Sequence, residues 1–232
     1  MKVNAPAVVR TELAKRSWKR ESVAIGTVTD PYQPLEGRYR ITRGILQALR
    51  DYQSPASLIT RSPLVVRDID VFQALARVAS VSISVSIATL DERLAREIEP
   101  TVAPPRQRLR AVRMLADAGI AVNVALAPVL PHLTDTPESV EAVVRAAREA
   151  GAAKVWHNTL YLHDVTRETF FAYLREYRPE LLAQYAQEYR GTYAPRAIAK
   201  RIDEVVGEAI GRHPARYTAR IRSQAAVQLS LI

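Results

Sequence analysis

Three features of the sequence predict a parallel α/β fold. Short apolar runs rich in β-branched residues recur five times along the 232 residues, as buried strands require. A stretch with helical spacing of apolar residues follows each run. Polar residues and prolines collect where each run stops, at the strand end where α/β folds place their ligands.

Taken in order, Ala7 to Lys15 reads as a short helix with Pro6 in its first turn, and Met1 to Asn4 as the stump of an extended segment. The first strand is Val23–Val28, and Thr29-Asp30-Pro31 stops it abruptly. Pro31 and Pro34 hold the next residues in a stiff loop. Arg38 to Tyr52 places Ile41, Ile45, Leu46 and Leu49 at helical spacing. Ala56–Thr60 is the second strand, and Asp68 is expected to cap a helix over Ile69–Val78. Val81–Ile87 alternates apolar residues with serine and forms the third strand. The helix that follows opens at Thr89-Leu90-Asp91-Glu92 and runs to Glu97. After a proline-bearing link, Pro100 to Pro105, a helix over Gln107–Ala118 closes at Gly119.

Ile120–Ala127 is the fourth strand, a helix runs from Thr136 to Ala150, and Ala153–Trp156 is the fifth strand. Thr166 to Tyr189 is a longer amphipathic stretch, and a basic helical tail extends from Ala194 to the end. This register implies right-handed crossovers. Five units do not close an eight-stranded barrel, so an open or partial barrel and a doubly wound sheet both remain. Residues 1–165 are expected to form the barrel and residues 166–232 a helical extension packed on it. The chain opens on a loose helix, as though a first βα unit were missing.

The composition narrows the chemistry. Hydrophobic residues make up 48% of the chain, enough for a real core. No apolar run approaches the roughly 20 residues of a membrane span, and no secretory leader is visible; a soluble, cytoplasmic protein with no membrane partner is expected. The chain has no cysteine, which removes disulfides, thiolate nucleophiles and cysteine metal sites. Its four histidines are scattered. The net charge of +9 favours anionic partners, DNA or another nucleic acid first; solvated arginine-rich helix faces explain it equally well. No GxGxxG, GxxxxGKS, GxSxG or HExxH motif is present.

Residues at the strand ends converge on one mouth: Thr29, Asp30, Tyr32, Gln33 and Glu36, then Thr60 and Arg61, then Ser84 and Ser86, then Pro128, then Asn158. The set contains carboxylates, a guanidinium, hydroxyls and an amide, but no nucleophile–base pair. It suits a polar cofactor with an amino-acid or ribose part. Each residue also has a structural explanation. Asp30 caps a turn, Glu36 serves a helix N-terminus, Arg61 pairs with Asp68 or Asp70, and the serines pack inside a barrel. The aromatics from Phe170 to Tyr189 either stack bases or fill a core.

The segments GTVTDPYQPLEGRYRITRGILQAL, LITRSPLVVRDID, SISVSIATLDE, IEPTVAPPRQRLRAVRMLADAGI and APVLPHLTD resemble the radical S-adenosylmethionine proteins related to spore photoproduct lyase. More narrowly, they resemble the actinobacterial branch described as DNA repair photolyase-like. The resemblance covers Val3 to about Arg201. It implies a partial (β/α)6 TIM-type barrel, here with the first βα unit missing, followed by C-terminal helices. It also implies S-adenosylmethionine, a 4Fe-4S cluster and radical lyase chemistry on DNA. Thr29, Asp30 and Glu36 map near the methionine part of the cofactor. Arg61 takes the place of a lysine beside it, and Ser86 matches a serine of the next strand. Tyr32, Ser84 and Asn158 complete the expected cofactor-binding set.

The chain departs from the family at the cluster. The CxxxCxxC motif of the family lies upstream of the matching region, and no cysteine occurs here. Two accounts follow. Either the chain is a truncated or incomplete radical enzyme, inactive alone, or it is a shortened protein that keeps a nucleic-acid- or partner-binding barrel. A cofactor-independent α/β enzyme fits the mouth poorly.

Overall fold

The computed structural model describes residues 3–215. Its strands are β1 (Val23–Ile25), β2 (Ala56–Thr60), β3 (Val81–Ser86), β4 (Val122–Val129) and β5 (Lys154–Thr159). They form one five-stranded sheet in the order β1-β2-β3-β4-β5, every pair parallel. Sequential order decides between the architectures left open above. A doubly wound sheet reverses its order at a switch point. Here nothing reverses, so crossovers of one hand leave the helices on one side, and the sheet is a partial TIM-type barrel.

The two faces of the sheet confirm that winding. Leu58, Ile83, Val85, Val122, Val124, Leu126 and Val155 are buried in the main hydrophobic core. Phe72, Leu75, Val112, Leu115, Val143 and Val144 join them from the helices. The opposite face carries Ala24, Ser57, Ser82, Ser84, Ser86, Asn123, Trp156 and Asn158, small or polar and mostly accessible. Serine at alternate positions of β3 thus follows from the pleat: its valines and isoleucine enter the core while its serines face the open side.

The helices follow the expected order with informative differences. α1 (Ala5–Leu13) has Pro6 in its first turn. It crosses α3 (Ile41–Asp51) closely enough that a Cβ on Gly44 would come within 2.8 Å of the Pro6 ring. The helix expected over Arg38–Tyr52 is two helices, α2 (Glu36–Tyr39) and α3, separated by Arg40 at φ +50°. The break has a cause: the Glu36 carboxylate accepts the backbone N–H groups of Ile41 at 2.9 Å and Thr42 at 3.0 Å. It caps α3 from one turn upstream, and the chain must fold back at Arg40 to let it.

β1 is shorter than the expected Val23–Val28. It ends at Gly26, whose φ is +94° and whose missing Cβ would sit 2.2 Å from the Ile59 carbonyl oxygen. Only glycine fits this turn.

A 3₁₀ turn over Pro63–Asp68 leads into α4 (Ile69–Ala76). Asp68 makes no side-chain cap there, contrary to expectation. α5 (Glu92–Ile98) is capped by the Asp91 carboxylate. α6 (Pro105–Asp117) ends before Gly119 at φ +81°. α7 (Pro137–Glu149) is capped by the Thr136 hydroxyl and followed by Gly151 at φ +91°.

Pro128 has no N–H to give the ladder, and the β4–β5 register shifts between Leu126 and Val129. The Ala127 carbonyl accepts the Ser86 hydroxyl at 2.8 Å instead.

The long amphipathic stretch breaks at Arg178-Pro179 into α8 (Asp164–Tyr177) and α9 (Leu182–Glu188), as proline dictates. Its aromatics are mostly structural. Tyr185 and Tyr189 are fully buried with Leu130, Leu160, Leu162 and Leu174 in a second core, against which Phe170, Phe171 and Tyr173 pack. α10 (Arg196–Arg212) packs on α7 and β5 through Ile202, Val206 and Ala209. The rest of the expected basic tail lies outside the described residues. Among the described residues no helix is long and apolar enough to cross a membrane.

Candidate functional site

The carboxyl ends of the strands open into a cleft of about 660 Å³. Thr29, Asp30, Arg61, Ser86 and Asn158 of the expected set line it, with Thr60 and Pro128. Sheet geometry brings them together. Ser86 and Trp156 share a row across Ala125, and Asn158 lies two residues beyond Trp156 on the same face.

Asp30 acts as a clasp between two strand ends. Its carboxylate accepts the Tyr32 N–H at 2.8 Å, the Thr60 hydroxyl at 2.7 Å and the Arg61 N–H at 2.6 Å. Aspartate before proline supports the turn, as one reading of the sequence had it. The same bonds tie the loop after β1 to the end of β2, which fixes the floor of the cleft.

Arg61 pairs with neither Asp68 nor Asp70. Its Nε sits 2.7 Å from the Glu99 carboxylate, and the side chain is 45% exposed. The second oxygen of Glu99 holds Arg108 at 2.6 Å. Arg108 is 2% exposed and also donates to the carbonyls of Ala103 at 2.7 Å and Ser86 at 3.0 Å. A buried arginine therefore orients a carboxylate, and the carboxylate orients the exposed guanidinium at the cleft. Among the described residues Arg61 and its two terminal nitrogens pair with no acid other than Glu99. They can meet an anionic group in a forked geometry.

Tyr32 and Glu36 stand apart from the cleft. Both are buried, in a network centred on Asp68. Its side chain is wholly buried and accepts from Tyr32 Oη at 3.0 Å, Arg43 at 2.9 Å and Arg67 at 2.7 Å. Arg67 also reaches Glu36 at 3.0 Å, and Arg43 reaches Asp70 at 2.6 Å. The hydrogen bond from Arg43 holds Asp70 down at about 2. Hydrogen bonds to Asp70 and Asp68 raise Arg43, and chiefly that to Asp68 raises Arg67.

Asp68→Ala is expected to lower stability by about 3 kcal/mol, at the low end for a broken buried ion pair. Each arginine keeps a second acid, while Tyr32 Oη loses its acceptor. Chemical denaturation measures this, and a change under about 1 kcal/mol would mean the network contributes little.

Ser84 is buried beneath the mouth, where its hydroxyl accepts the Trp156 indole N–H at 3.1 Å. It acts on the cleft by fixing that ring. Trp156 itself, 39% exposed, was absent from the expected set, as were Gly26 and Tyr161, which also line the cleft. Strict alternation through Trp156 and Asn158 was the available signal. Nothing local pointed to Glu99 or Arg108.

The two implied groups fare differently. A 4Fe-4S cluster takes thiolate ligands, and the chain has no cysteine. Among the described residues no group of three or more His, Asp or Glu could hold a metal ion. These residues do not fit the cluster. S-adenosylmethionine does fit: the cleft offers a forked cation, an amide, hydroxyls and an exposed indole face for a planar ring.

No family model matches the chain. It is 38% identical over 214 residues to an uncharacterised protein of Mycobacterium tuberculosis, covering 92% of this chain and 63% of that protein. It is 27% identical over 195 residues to an uncharacterised protein of Methanocaldococcus jannaschii, covering 84% of this chain and 68% of that one. The chain thus spans about 63% of the length of its mycobacterial relatives.

Among solved structures, spore photoproduct lyase complexed with dinucleoside spore photoproduct matches with TM-score 0.65 and 14% identity, over 90% of this chain and 63% of the lyase. Streptococcus suis SuiB bound to S-adenosylmethionine matches with TM-score 0.55 and 15% identity, over 84% and 38%. The chain shares the fold of these proteins.

Proposed function

We propose that this is a radical S-adenosylmethionine-type protein resembling DNA repair photolyases of the spore photoproduct lyase kind, and that its cleft binds S-adenosylmethionine. One observation carries the reading: the cleft stands at the carboxyl ends of a sequentially wound half-barrel, with Arg61 held at its edge by Glu99. SuiB and a spore photoproduct lyase of the same fold are described with S-adenosylmethionine bound. In this assignment Arg61 takes the cofactor's carboxylate, the Trp156 face takes its adenine, and Ser86 and Asn158 meet its polar groups. Asp30 and Thr29 shape the floor and rim.

With a reduced cluster beside it, the cofactor would supply radical chemistry. This chain lacks the thiolates for that cluster, so the reading for the chain itself stops at binding. Cleavage of a nucleic-acid lesion belongs to the reading of a protein that has the cluster.

Isothermal titration with S-adenosylmethionine tests the assignment. Binding is expected in the native chain, and Arg61→Ala should weaken it by about 10- to 100-fold, the range for a lost hydrogen bond to a charged group. Equal binding by the folded variant, or none by the native protein, would sink it.

A further inference from the structure

We propose that Tyr161 and Tyr193 form a platform that stacks a nucleobase of single-stranded nucleic acid at the rim of the cleft. The inference deepens the reading above, because Tyr161 lines the same cleft. It concerns residues that the family resemblance did not single out.

Tyr185 and Tyr189 are buried in the second core, yet these two are 49% and 77% exposed. Their ring centroids lie 6.4 Å apart, and their backbones form an antiparallel bridge. The support beneath them is rigid. The Leu162 N–H donates to the Thr192 carbonyl at 2.7 Å. The buried Tyr189 hydroxyl donates to the Leu160 carbonyl at 3.0 Å. Arg167 lies over Phe171 and reaches the Gly191 carbonyl at 3.3 Å. Large aromatic faces held open to solvent by a fixed backbone lose little entropy on stacking.

Position and charge select the ligand. Leu160 and Asn158 line both the main cleft and a second hollow of about 330 Å³, which Tyr193 also lines. The pair therefore stands between two adjoining depressions, where one base can stack while its neighbour enters the cleft. Arg190 and Arg196 flank Tyr193 in sequence and are exposed, and among the described residues neither forms an ion pair. The acid of the second hollow, Asp203, hydrogen-bonds the His157 ring at 2.8 Å. Aromatic faces beside unpaired arginines fit a polyanion carrying planar bases. The overall charge of +9 adds a long-range attraction.

Fluorescence anisotropy with a labelled oligothymidylate of about a dozen nucleotides, roughly one single-strand site, provides the test. Tyr193→Ala should weaken binding by roughly 5- to 150-fold, the range for one lost stacking contact, while Tyr193→Phe keeps it. Arg190→Gln with Arg196→Gln should reduce the salt slope by about 1.4, for two phosphate contacts. Native binding to a folded Tyr193→Ala variant overturns the platform, as does a native protein that fails to bind at low salt.

Titration of S-adenosylmethionine into Tyr193→Ala separates the two readings. If the cofactor fails to bind any form while the oligonucleotide results hold, the platform stands and the cofactor assignment falls.

Discussion

Arg108→Ala is expected to cost about 4–5 kcal/mol, the upper range for breaking a buried ion pair together with the cavity left by a large side chain. The guanidinium has three separate duties. It neutralises Glu99 at 2.6 Å, satisfies the Ser86 carbonyl at the end of β3, and satisfies the Ala103 carbonyl just before α6. Truncation leaves two carbonyls without a donor and returns Glu99 to Arg61 alone, which faces water. Arg108→Lys should recover only part of the loss, since an ammonium cannot span three divergent acceptors as a planar fork does. Thermal and chemical unfolding of the three proteins measures the effect. A loss of under about 2 kcal/mol for the alanine variant would show that water replaces the guanidinium, contrary to its burial.

The second large effect is alkaline. Burial, reinforced for Tyr32 by Asp68, pushes Tyr32, Tyr185 and Tyr189 well above the ordinary tyrosine range. All three hydroxyls donate inside the fold: Tyr32 to Asp68, Tyr185 to the Pro131 carbonyl and Tyr189 to the Leu160 carbonyl. Their folded values exceed the unfolded value near 10, so their contribution is fully present below that pH and is lost as pH rises toward the folded values. Each removes about 1.4 kcal/mol per pH unit above 10, and the three together about 4. Tyrosinate absorbance of these groups should therefore appear together with unfolding. Tyr32→Phe should lower the slope by one third; an unchanged slope would mean that Tyr32 ionises without unfolding the chain.

The parts legible in the sequence were those set locally. β2 matches its expected bounds because a short run of mostly β-branched or small residues around Leu58 stands between a Ser-Pro break and a polar turn. Glycine stops after α6 and α7, and the Asp91 and Thr136 caps, also follow from near neighbours. Strand-end positions gave Thr29, Asp30, Arg61, Ser86 and Asn158, since a parallel sheet brings such positions together whatever the helices do.

The misplaced features depend on distant partners. Asp68 reads as a cap, but Arg43, Arg67 and Tyr32 claim it from other elements. Arg40 breaks a well-patterned helix because Glu36 reaches over it. Arg61 meets Glu99 across a gap of 38 residues that no periodicity marks. Strand order, too, is invisible to spacing, and it alone excluded the doubly wound sheet.

That strand order bears on how the molecule is made. Among the described residues each strand pairs only with strands next to it in the chain, so every ladder closes over one local stretch of one or two helices. Loop-closure entropy grows slowly with the length of a connection, so these local pairings cost less to close than pairings across the whole chain would. During synthesis β2 can register against β1 before β3 has left the ribosome, and each later strand meets a finished edge.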